Sequence, residues 1–258
     1  ARRAGVPLHA LLGDAAMTAM PAYASGINHP GVAETVARTR QEGYRAFKVK
    51  IGFGREQDEA NIRAALGSLL PGERLAADAN QAWTLEQALE ALPRLRRYPL
   101  LWVEEPLACD RPAAEWAALA AAGRFTLAAG ENIRSEAAFD AAIAAASVRV
   151  VQPDVCKWGG LTGCLRVARA ALAAGLHYCP HYLGGGIGLL ASAHLLAAVG
   201  GDGLLEVDCN PNPLRELLAA PFPCLRNGRF LLSDAPGLGV APDMEAVEKL
   251  LTFHARCR

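Results

Sequence analysis

The sequence lacks a net charge, a long hydrophobic run and a regular spacing of cysteines. Its 26 lysines and arginines balance 26 aspartates and glutamates, so no overall field attracts nucleic acid or an acidic membrane surface. No apolar run approaches the roughly 18 residues of a transmembrane helix, and the opening ARRAGVPLHALLGD lacks the order of a signal peptide. We therefore expect a protein that binds a small molecule, and neither nucleic acid nor a membrane.

The seven cysteines are odd in number, scattered along the chain and never spaced as C-x-x-C. This pattern argues against a disulfide framework and against a structural zinc site. It is typical of a protein in a reducing compartment, and we expect a cytoplasmic location.

β-prone segments alternate with alanine-rich helical segments along most of the 258 residues. The helical segments carry apolar residues at steps of three and four. Strands that are separated by single helices are parallel, and eight of them close most naturally into a barrel. The sequence therefore predicts an α/β fold, a TIM-type (β/α)7β barrel. The predicted strands are 21–26, 46–51, 74–80, 100–106, 126–132, 148–154, 176–181 and 203–208.

Extra segments flank the predicted barrel, which spans residues 21–208. Residues 1–20 resemble the end of a helix that leads into the first strand. Residues 209–258 contain a proline-rich loop, a short strand FLLSD and a final helix near 243–253. We expect both segments to pack on a partner surface.

Polar residues stand at the end of almost every predicted strand. In a parallel barrel these ends face one common mouth, so residues that are far apart in sequence converge there. Any one of them alone would be an ordinary solvated residue, but a set from seven consecutive strands indicates a site. The residues are Lys48, Lys50, Asp78, Asn80, Glu104, Glu105, Glu131, Asp154, His181 and Glu206.

Three of these carboxylates, Asp78, Glu104 and Glu131, end neighbouring strands. Their mutual repulsion would raise their pKa values unless a cation lies between them. A ligand set of carboxylates without Cys or His favours a hard divalent ion. We therefore predict a Mg²⁺ site, with Mn²⁺ as a tolerated substitute.

Two lysines stand two residues apart in the apolar stretch AFKVKIGFG. Strand alternation points Lys48 and Lys50 to the same side, roughly 6.6 Å apart. At an effective dielectric constant of about 20 their charges repel by about 2.5 kcal/mol, which lowers the pKa of one ammonium group below its usual value of about 10.4. One of the two lysines is therefore a candidate base.

His181 follows the seventh predicted strand and Asp154 the sixth, so the carboxylate can hold one imidazole nitrogen and set its basicity. In the barrel order the second strand lies roughly across the mouth from these two. A substrate in the mouth would meet Lys50 on one face and His181 on the other. This arrangement is typical of a two-base site.

Seven motifs at these strand ends resemble the mandelate racemase group of the enolase superfamily. They are KVK, DANQAW, VEEPL, GEN, QPDVCKWGG, PHYLGGG and LLEVD, in this order between residues 20 and 208. The resemblance implies that Lys50 is a general base assisted by Lys48, and that Asp154 and His181 form the second acid/base. It also implies Mg²⁺ ligands at Asp78, Glu104 and Glu131, a substrate hydrogen bond from Glu206, and a substrate contact from Asn80. Glu105, which has the opposite pleat direction, is the weaker candidate for the metal.

The resemblance implies abstraction of the proton next to a carboxylate group, through an enediolate. The first expectation is dehydration of a hydroxy acid or acid sugar to a 2-keto acid, by a homo-oligomer. A racemase or epimerase of a 2-hydroxy acid is the alternative, because Lys50 and His181 can serve either reaction. Lys157 in DVCKWGG keeps open a third branch, which resembles muconate cycloisomerases and dipeptide epimerases.

The resemblance also implies an N-terminal capping domain before the barrel, of which residues 1–20 would be the connecting tail. The C-terminal segment 209–258 would then pack on that domain. Without it, we expect an exposed apolar patch around Phe222, Leu225 and Phe230.

Two further hypotheses assign the protein to other classes of function. The stretch GGGIGLLA (184–191), with Glu206 some twenty residues beyond Gly186, imitates a dinucleotide fingerprint and would indicate an NAD-dependent oxidoreductase. Pro180 interrupts the preceding strand, and little chain follows for a nucleotide-binding half. A barrel that serves as a non-catalytic scaffold is the other reading, and it predicts no proton exchange on any hydroxy acid.

Overall fold

The computed structural model describes residues 1–13, 17–123, 125–223 and 225–251. A 3₁₀ turn at Arg2–Ala4 and helix α1 (Leu8–Leu12) precede the barrel. The barrel strands are β1 (Ala19–Ile27), β2 (Ala46–Lys50), β3 (Arg74–Asp78), β4 (Leu100–Glu104), β5 (Leu127–Ala129), β6 (Val150–Val151), β7 (His177–Tyr178) and β8 (Leu205–Asp208). Between them lie α2 (Val32–Gln41), α3 (Arg55–Ser68), α4 (Leu85–Leu95), α5 (Ala113–Gly123), α6 (Glu136–Ala145), α7 (Gly160–Ala173) and α8 (Gly186–Val199).

The eight strands pair in parallel in the order β8, β1, β2, β3, β4, β5, β6, β7. Within the described ranges no ladder joins β7 to β8. The amide of Leu204 instead donates to Cys179 Sγ at 3.3 Å across this gap. Inside the sheet, one apolar layer takes a residue from each of the eight strand positions: Tyr23, Ala46, Ala76, Trp102, Ala128, Val150, Cys179 and Leu204. This layer closes the interior, and the predicted (β/α)7β barrel is confirmed.

The strands β5 and β6 are shorter than predicted. Gly130 has φ +149°, and a Cβ atom there would lie 2.7 Å from the backbone of Gln152. Only glycine therefore allows this close approach of the two chains. The ladder ends at this point, and Glu131 turns towards the barrel mouth.

After β8 the chain forms α9 (Pro213–Leu217), β9 (Leu225–Arg226), β10 (Arg229–Leu231) and α10 (Met244–Glu248). Strands β9 and β10 form an antiparallel hairpin, and β10 pairs with the start of β1, where Met20 faces Phe230. The predicted FLLSD strand thus begins one residue earlier and is shorter. The predicted final helix ends at Glu248, and residues 252–258 lie outside the described part.

The expectation of an exposed apolar patch in this segment is wrong. The Phe230 side chain is buried, with 1 % of its surface exposed. The ring of Phe222 packs edge-on against it at a centroid distance of 6.1 Å, and both Phe222 and Leu225 are half-buried against the main core. The hairpin covers these rings because it adds to the sheet at β1 instead of extending away from the barrel.

Helix α1 packs on α8 through a buried histidine pair. Nδ1 of His9 lies 3.1 Å from Nδ1 of His194, and the His9 amide donates to the same nitrogen at 3.2 Å. Among the described residues, no helix combines the length and the apolar character needed to cross a membrane. The cysteines that the structure describes are free thiols: Cys109, Cys156, Cys164, Cys179 and Cys209.

Candidate active site

The carboxyl ends of the strands bring the predicted polar residues together at one mouth. Alternation places Lys48 two residues after Ala46 of the apolar layer and Asp78 two residues after Ala76, whereas Glu131 follows Ala128 by three residues and reaches the mouth through the turn at Gly130. The members at the bottom of the mouth are almost fully buried, with exposures of 1 % or less: Lys48, Asp78, Glu104, Glu105 and Glu206.

Lys48 is the central cation of this network. Its Nζ lies 2.6 Å from Glu104 Oε1, 2.6 Å from Glu206 Oε1 and 3.7 Å from Asp78 Oδ2. Burial opposes the charge, but the carboxylates of Glu104 and Glu206 outweigh it and raise the pKa of Lys48 well above its usual value. The expectation that repulsion between the lysines lowers a pKa therefore does not hold for Lys48.

Glu104 is fixed on both oxygens. Oε1 accepts a hydrogen bond from Lys48 Nζ, while Oε2 accepts hydrogen bonds from Trp102 Nε1 at 3.2 Å and from Gln152 Nε2 at 2.8 Å. Burial, together with the nearby Asp78 and Glu206 carboxylates, raises the pKa of Glu104 to about 7 despite its ion pair. The pKa values of both partners in the pair rise because several carboxylates compete for the single ammonium group of Lys48.

Lys50 stands higher in the mouth and is part-exposed. Its Nζ donates to Asp78 Oδ2 at 2.6 Å and to Asn80 Oδ1 at 3.3 Å. Asn80 reaches this position because its backbone turns into the left-handed region at φ +49°, and its amide donates to Asp78 Oδ1 at 2.8 Å. The structure therefore brings Lys50, Asp78 and Asn80 together as the sequence predicts.

His181 lies between two carboxylates on the other side of the network. Nδ1 is 2.7 Å from Asp154 Oδ2 and Nε2 is 2.5 Å from Glu131 Oε2, with Glu206 Oε2 at 3.8 Å. Burial opposes protonation, but Glu206, Asp154 and Glu131 together raise the pKa of His181 to about 10. These carboxylates therefore favour the imidazolium form of the ring in this arrangement.

Glu131 and Glu105 share the amide of Asn132. Nδ2 of Asn132 donates to Glu105 Oε2 at 2.7 Å and to Glu131 Oε1 at 3.1 Å, and Lys157 Nζ lies 3.1 Å from Glu131 Oε1. Burial opposes ionisation, but His181 and Lys157 hold the pKa of Glu131 far below its usual range. Burial and the Glu131 charge raise the pKa of Glu105 to about 7.

The network contains more negative than positive groups. Its six carboxylates are Asp78, Glu104, Glu105, Glu131, Asp154 and Glu206. When all six are ionised, they face three lysines and the His181 imidazolium, which leaves two negative charges, and Oε1 of Glu105 is buried without a hydrogen-bond partner among the described residues. A divalent cation matches this surplus and prefers oxygen ligands of this kind.

The predicted metal ligands do not all meet at one point. Asp78 and Glu104 share Lys48, whereas Glu131 pairs with His181 and Lys157. In the part of the chain that the structure describes, no three acidic, histidine or cysteine groups form a metal-binding cluster. The assignment of Asp78, Glu104 and Glu131 as ligands stays a prediction.

The sequence-based predictions omit two buried residues of the site, Trp102 and Gln152, and rank a third, Glu105, too low. Gln152 and Trp102 orient Glu104, and Glu105 is 1 % exposed with φ +37°. Alternation could have identified the first two, because Trp102 stands two residues before Glu104 and Gln152 two before Asp154. Glu105 could not be found this way, because its left-handed backbone breaks the alternation.

The glycines of GGGIGLLA serve packing. A Cβ atom on Gly188 would lie 2.3 Å from the Tyr182 ring, and one on Gly186 would lie 2.2 Å from the Arg215 carbonyl oxygen. Glu206, which would hold a ribose in the dinucleotide reading, is buried against Lys48 and accepts from the Tyr182 amide at 3.0 Å. The geometry thus explains the motif without a nucleotide.

Comparison with known proteins identifies the family. The model of the family described as enolase C-terminal domain-like matches residues 31–247, which is most of the chain. The chain belongs to this family. Its barrel and the resemblance to the mandelate racemase and muconate lactonizing group of the enolase superfamily are therefore confirmed.

Three relatives illustrate the range of this superfamily. D-galactarolactone cycloisomerase of Agrobacterium fabrum is 30% identical over 94% of this chain and 68% of its own length. The crystal structure of a mandelate racemase/muconate lactonizing enzyme of Bordetella bronchiseptica has 54% identity and a TM-score of 0.92, over 97% of this chain and 70% of that one. L-talarate dehydratase of Polaromonas, complexed with Mg and L-glucarate, has 28% identity and a TM-score of 0.83, over 94% of this chain and 66% of that one.

These enolase-family relatives are named as a cycloisomerase, a racemase or lactonizing enzyme, and a dehydratase. The homologues are therefore enzymes. The present chain spans about two thirds of the length of each of the three.

Proposed function

We propose that this chain forms the catalytic barrel of a Mg²⁺-dependent enzyme that removes the proton α to a carboxylate group. The proposed reaction is dehydration of a hydroxy acid or acid sugar to a 2-keto acid. One observation carries the proposal: Lys50 at the end of β2 and the His181–Asp154 pair, which follows β7 and β6, lie in one mouth, with carboxylates between them.

Lys50 and His181 have complementary roles in this proposal. The imidazolium of His181 has a proton to give, because Asp154 holds Nδ1 and Nε2 points at Glu131 within the mouth. Lys50, in its neutral form, accepts the α-proton from the opposite face of the substrate. His181 then donates its proton to the departing β-hydroxyl group, which leaves as water.

Lys48 and Glu206 form the fixed floor beneath the substrate. Lys48 is charged and nearly inaccessible, so it stabilises negative charge without taking part in proton exchange. Glu206 is held by Lys48 and by the Tyr182 amide, which aims its carboxylate at the mouth. We propose that Glu206 and Asn80 contact the substrate's polar groups.

Among the described residues, the network fits a divalent ion, because its fully ionised form has a surplus of two negative charges and the buried Oε1 of Glu105 has no hydrogen-bond partner. We propose that Asp78, Glu104 and Glu131 hold Mg²⁺, and that Mn²⁺ can replace it. When bound, the ion would supply Lewis-acid stabilisation of the charge that develops on the substrate carboxylate. The magnesium in the Polaromonas L-talarate dehydratase complex supports this choice.

A racemase or cycloisomerase is the second candidate. Lys50 and His181 can return a proton to either face, and the chain is similar to D-galactarolactone cycloisomerase. Lys157 also lies in the mouth, where its Nζ contacts Glu131. We further propose that the protein is cytoplasmic and forms a homo-oligomer, and light scattering of the purified protein would test its oligomeric state.

Incubating the protein with a panel of acid sugars, in Mg²⁺ and deuterium oxide, separates these reactions. Formation of a 2-keto acid supports the dehydratase. Deuterium at the α-carbon without elimination supports the racemase, and a cyclic isomer without net loss of water supports the cycloisomerase. Absence of exchange and product on every substrate would favour the scaffold reading.

A further inference from the structure

A polar hollow lies at the opposite end of the barrel from the mouth, where the strands begin. Its volume is about 190 Å³. Three arginines line it: Arg45 immediately before β2, Arg74 at the start of β3, and Arg229 at the start of β10. We name this hollow, with these three arginines, the arginine pocket.

The arginine pocket carries a surplus of positive charge, although the Glu73 carboxylate lies close enough to Arg45 for the two charges to attract. Among the described residues, none of the three guanidinium groups forms an ion pair, and no acidic side chain lines the hollow. Glu73, next to Arg74 in sequence, is engaged by Arg40 at 2.7 Å. The arginines therefore still have donors available for an anion.

The hydrogen bonds that the pocket arginines do make are to main-chain oxygens. Arg45 donates to the carbonyls of Arg40 and Tyr44 at 3.1 and 2.7 Å, and Arg229 donates to that of Ala19 at 3.0 Å. These contacts fix two of the three side chains without neutralising them. The Arg74 side chain makes no hydrogen bond within the described residues.

The C-terminal hairpin completes the pocket. Gly228 has φ +75°, and a Cβ atom there would lie 3.0 Å from Cβ of Arg45. This glycine lets the hairpin turn lie against Arg45, and the pairing of Pro21 with Arg229 places the third arginine on the rim. Residues 45, 74 and 229 thus converge only when the hairpin is docked on β1.

We propose that the arginine pocket binds a small polyvalent oxyanion of the phosphate type, either inorganic phosphate or the phosphoryl group of a small metabolite. Guanidinium groups bind such oxyanions through paired hydrogen bonds, and several around one hollow match a tetrahedral group with several charged oxygens. The volume holds one phosphate group with room for a small ester. This site is separate from the mouth and does not depend on the proposed function.

The test is calorimetric titration of the full chain with inorganic phosphate, without Mg²⁺ and at an ionic strength held constant with chloride. We expect saturable binding at one site. Arg74→Gln should weaken it about tenfold or more, because a charged hydrogen bond is lost. Arg74 is the best choice for substitution, since its side chain makes no hydrogen bond to any described residue that the fold would lose.

Arg96→Gln is the matched control, because Arg96 is exposed and lies outside the pocket, and the substitution removes the same charge as Arg74→Gln. It should leave the affinity unchanged, and urea unfolding without phosphate should show that both variants are folded. An equal affinity in Arg74→Gln and the parent protein would overturn the proposal, as would heats no larger than those of added chloride. Malonate in place of phosphate tests the ligand class, and tighter binding of malonate would refute a phosphate-type ligand.

Discussion

Asp154 and His181 are joined twice, by a parallel β-bridge between their main chains and by a 2.7 Å contact between Oδ2 and Nδ1. The bridge fixes the distance between the two backbones, so the two side chains can separate only by a change of rotamer. Asp154 Oδ1 in turn accepts from the amide of Cys156 at 2.7 Å. The orientation of the imidazole is therefore built into the barrel and needs no substrate.

The fixed position of His181, opposite Lys50, predicts that each of these two residues acts on a different stereoisomer of the substrate. Lys50→Ala should slow exchange of the α-proton from one stereoisomer of an active substrate by about 100- to 10,000-fold, and His181→Asn should slow it from the other. The reason is that each group reaches only one face of the substrate, and each takes the α-proton only in its neutral form, so the exchange that depends on His181 should also rise with pH as the imidazolium loses its proton. Proton NMR in deuterium oxide measures both rates. His177→Asn, at the opposite end of β7, is the control and should leave both rates intact. Equal losses for both stereoisomers in Lys50→Ala would contradict the two-face arrangement.

The buried position of Lys48 predicts a large effect on stability. Lys48→Met should lower the free energy of unfolding by about 3–5 kcal/mol, because Glu104 and Glu206 would keep buried charges without their cation. Urea unfolding at pH 8 measures the loss. Adding Glu206→Gln to Lys48→Met should restore part of it, since one of the two unpaired charges is then removed. A single variant as stable as the parent would show that these carboxylates are not ionised in the fold.

The surplus of negative charge predicts that Mg²⁺ stabilises the fold. Millimolar Mg²⁺ should raise the midpoint of thermal unfolding, because an ion that binds only the folded state shifts the equilibrium toward it. Asp78→Asn and Glu131→Gln should each weaken Mg²⁺ binding about tenfold or more in calorimetry. The exposed Asp140 provides the control, and Asp140→Asn should behave like the parent. The same affinity in all four proteins would place the ion elsewhere.

The His9–His194 pair predicts a loss of stability in acid. Burial lowers the pKa of His194 to about 4, and the nearby His9 adds to this. Between pH 6.5 and 4 the unfolded chain therefore binds a proton at His194 that the folded chain does not, so stability falls as the pH falls through this window, by up to about 3 kcal/mol. Urea unfolding as a function of pH measures the slope. His194→Gln should reduce it, whereas His29→Gln, at an exposed site, should not. An unchanged slope in His194→Gln would assign the acid sensitivity to other groups.

The ends of the strands are the part of this site that local sequence predicts well. Alternation places Lys48, Lys50 and Asp78 correctly because these strands are regular up to their last residue. The same rule fails at Glu105, where the backbone enters the left-handed region and the side chain turns back to Asn132. Local pattern also does not decide which carboxylate each lysine takes, since that depends on distances across the mouth.

Contacts between distant parts of the chain could not be predicted. The burial of Phe230 depends on its pairing with Met20, more than 200 residues away, and a short hairpin gives no local sign of its partner. The His9–His194 contact spans 185 residues and joins two helices whose sequences, taken one at a time, give no sign of the contact. In both cases the apolar and aromatic side chains were visible in the sequence, but the surface that covers them was not.

Strand β1 serves two sheets at once, since Ala19–Pro21 pair with β10 whereas Ala22–Ser25 pair with β8. During synthesis the first of these halves emerges long before residues 229–231 exist to cover it. Until then its free amide and carbonyl groups form an open template on which a second nascent chain can add a strand. Shortening the protein at residue 223 would make this temporary hazard permanent, and such a chain should aggregate even with its barrel intact.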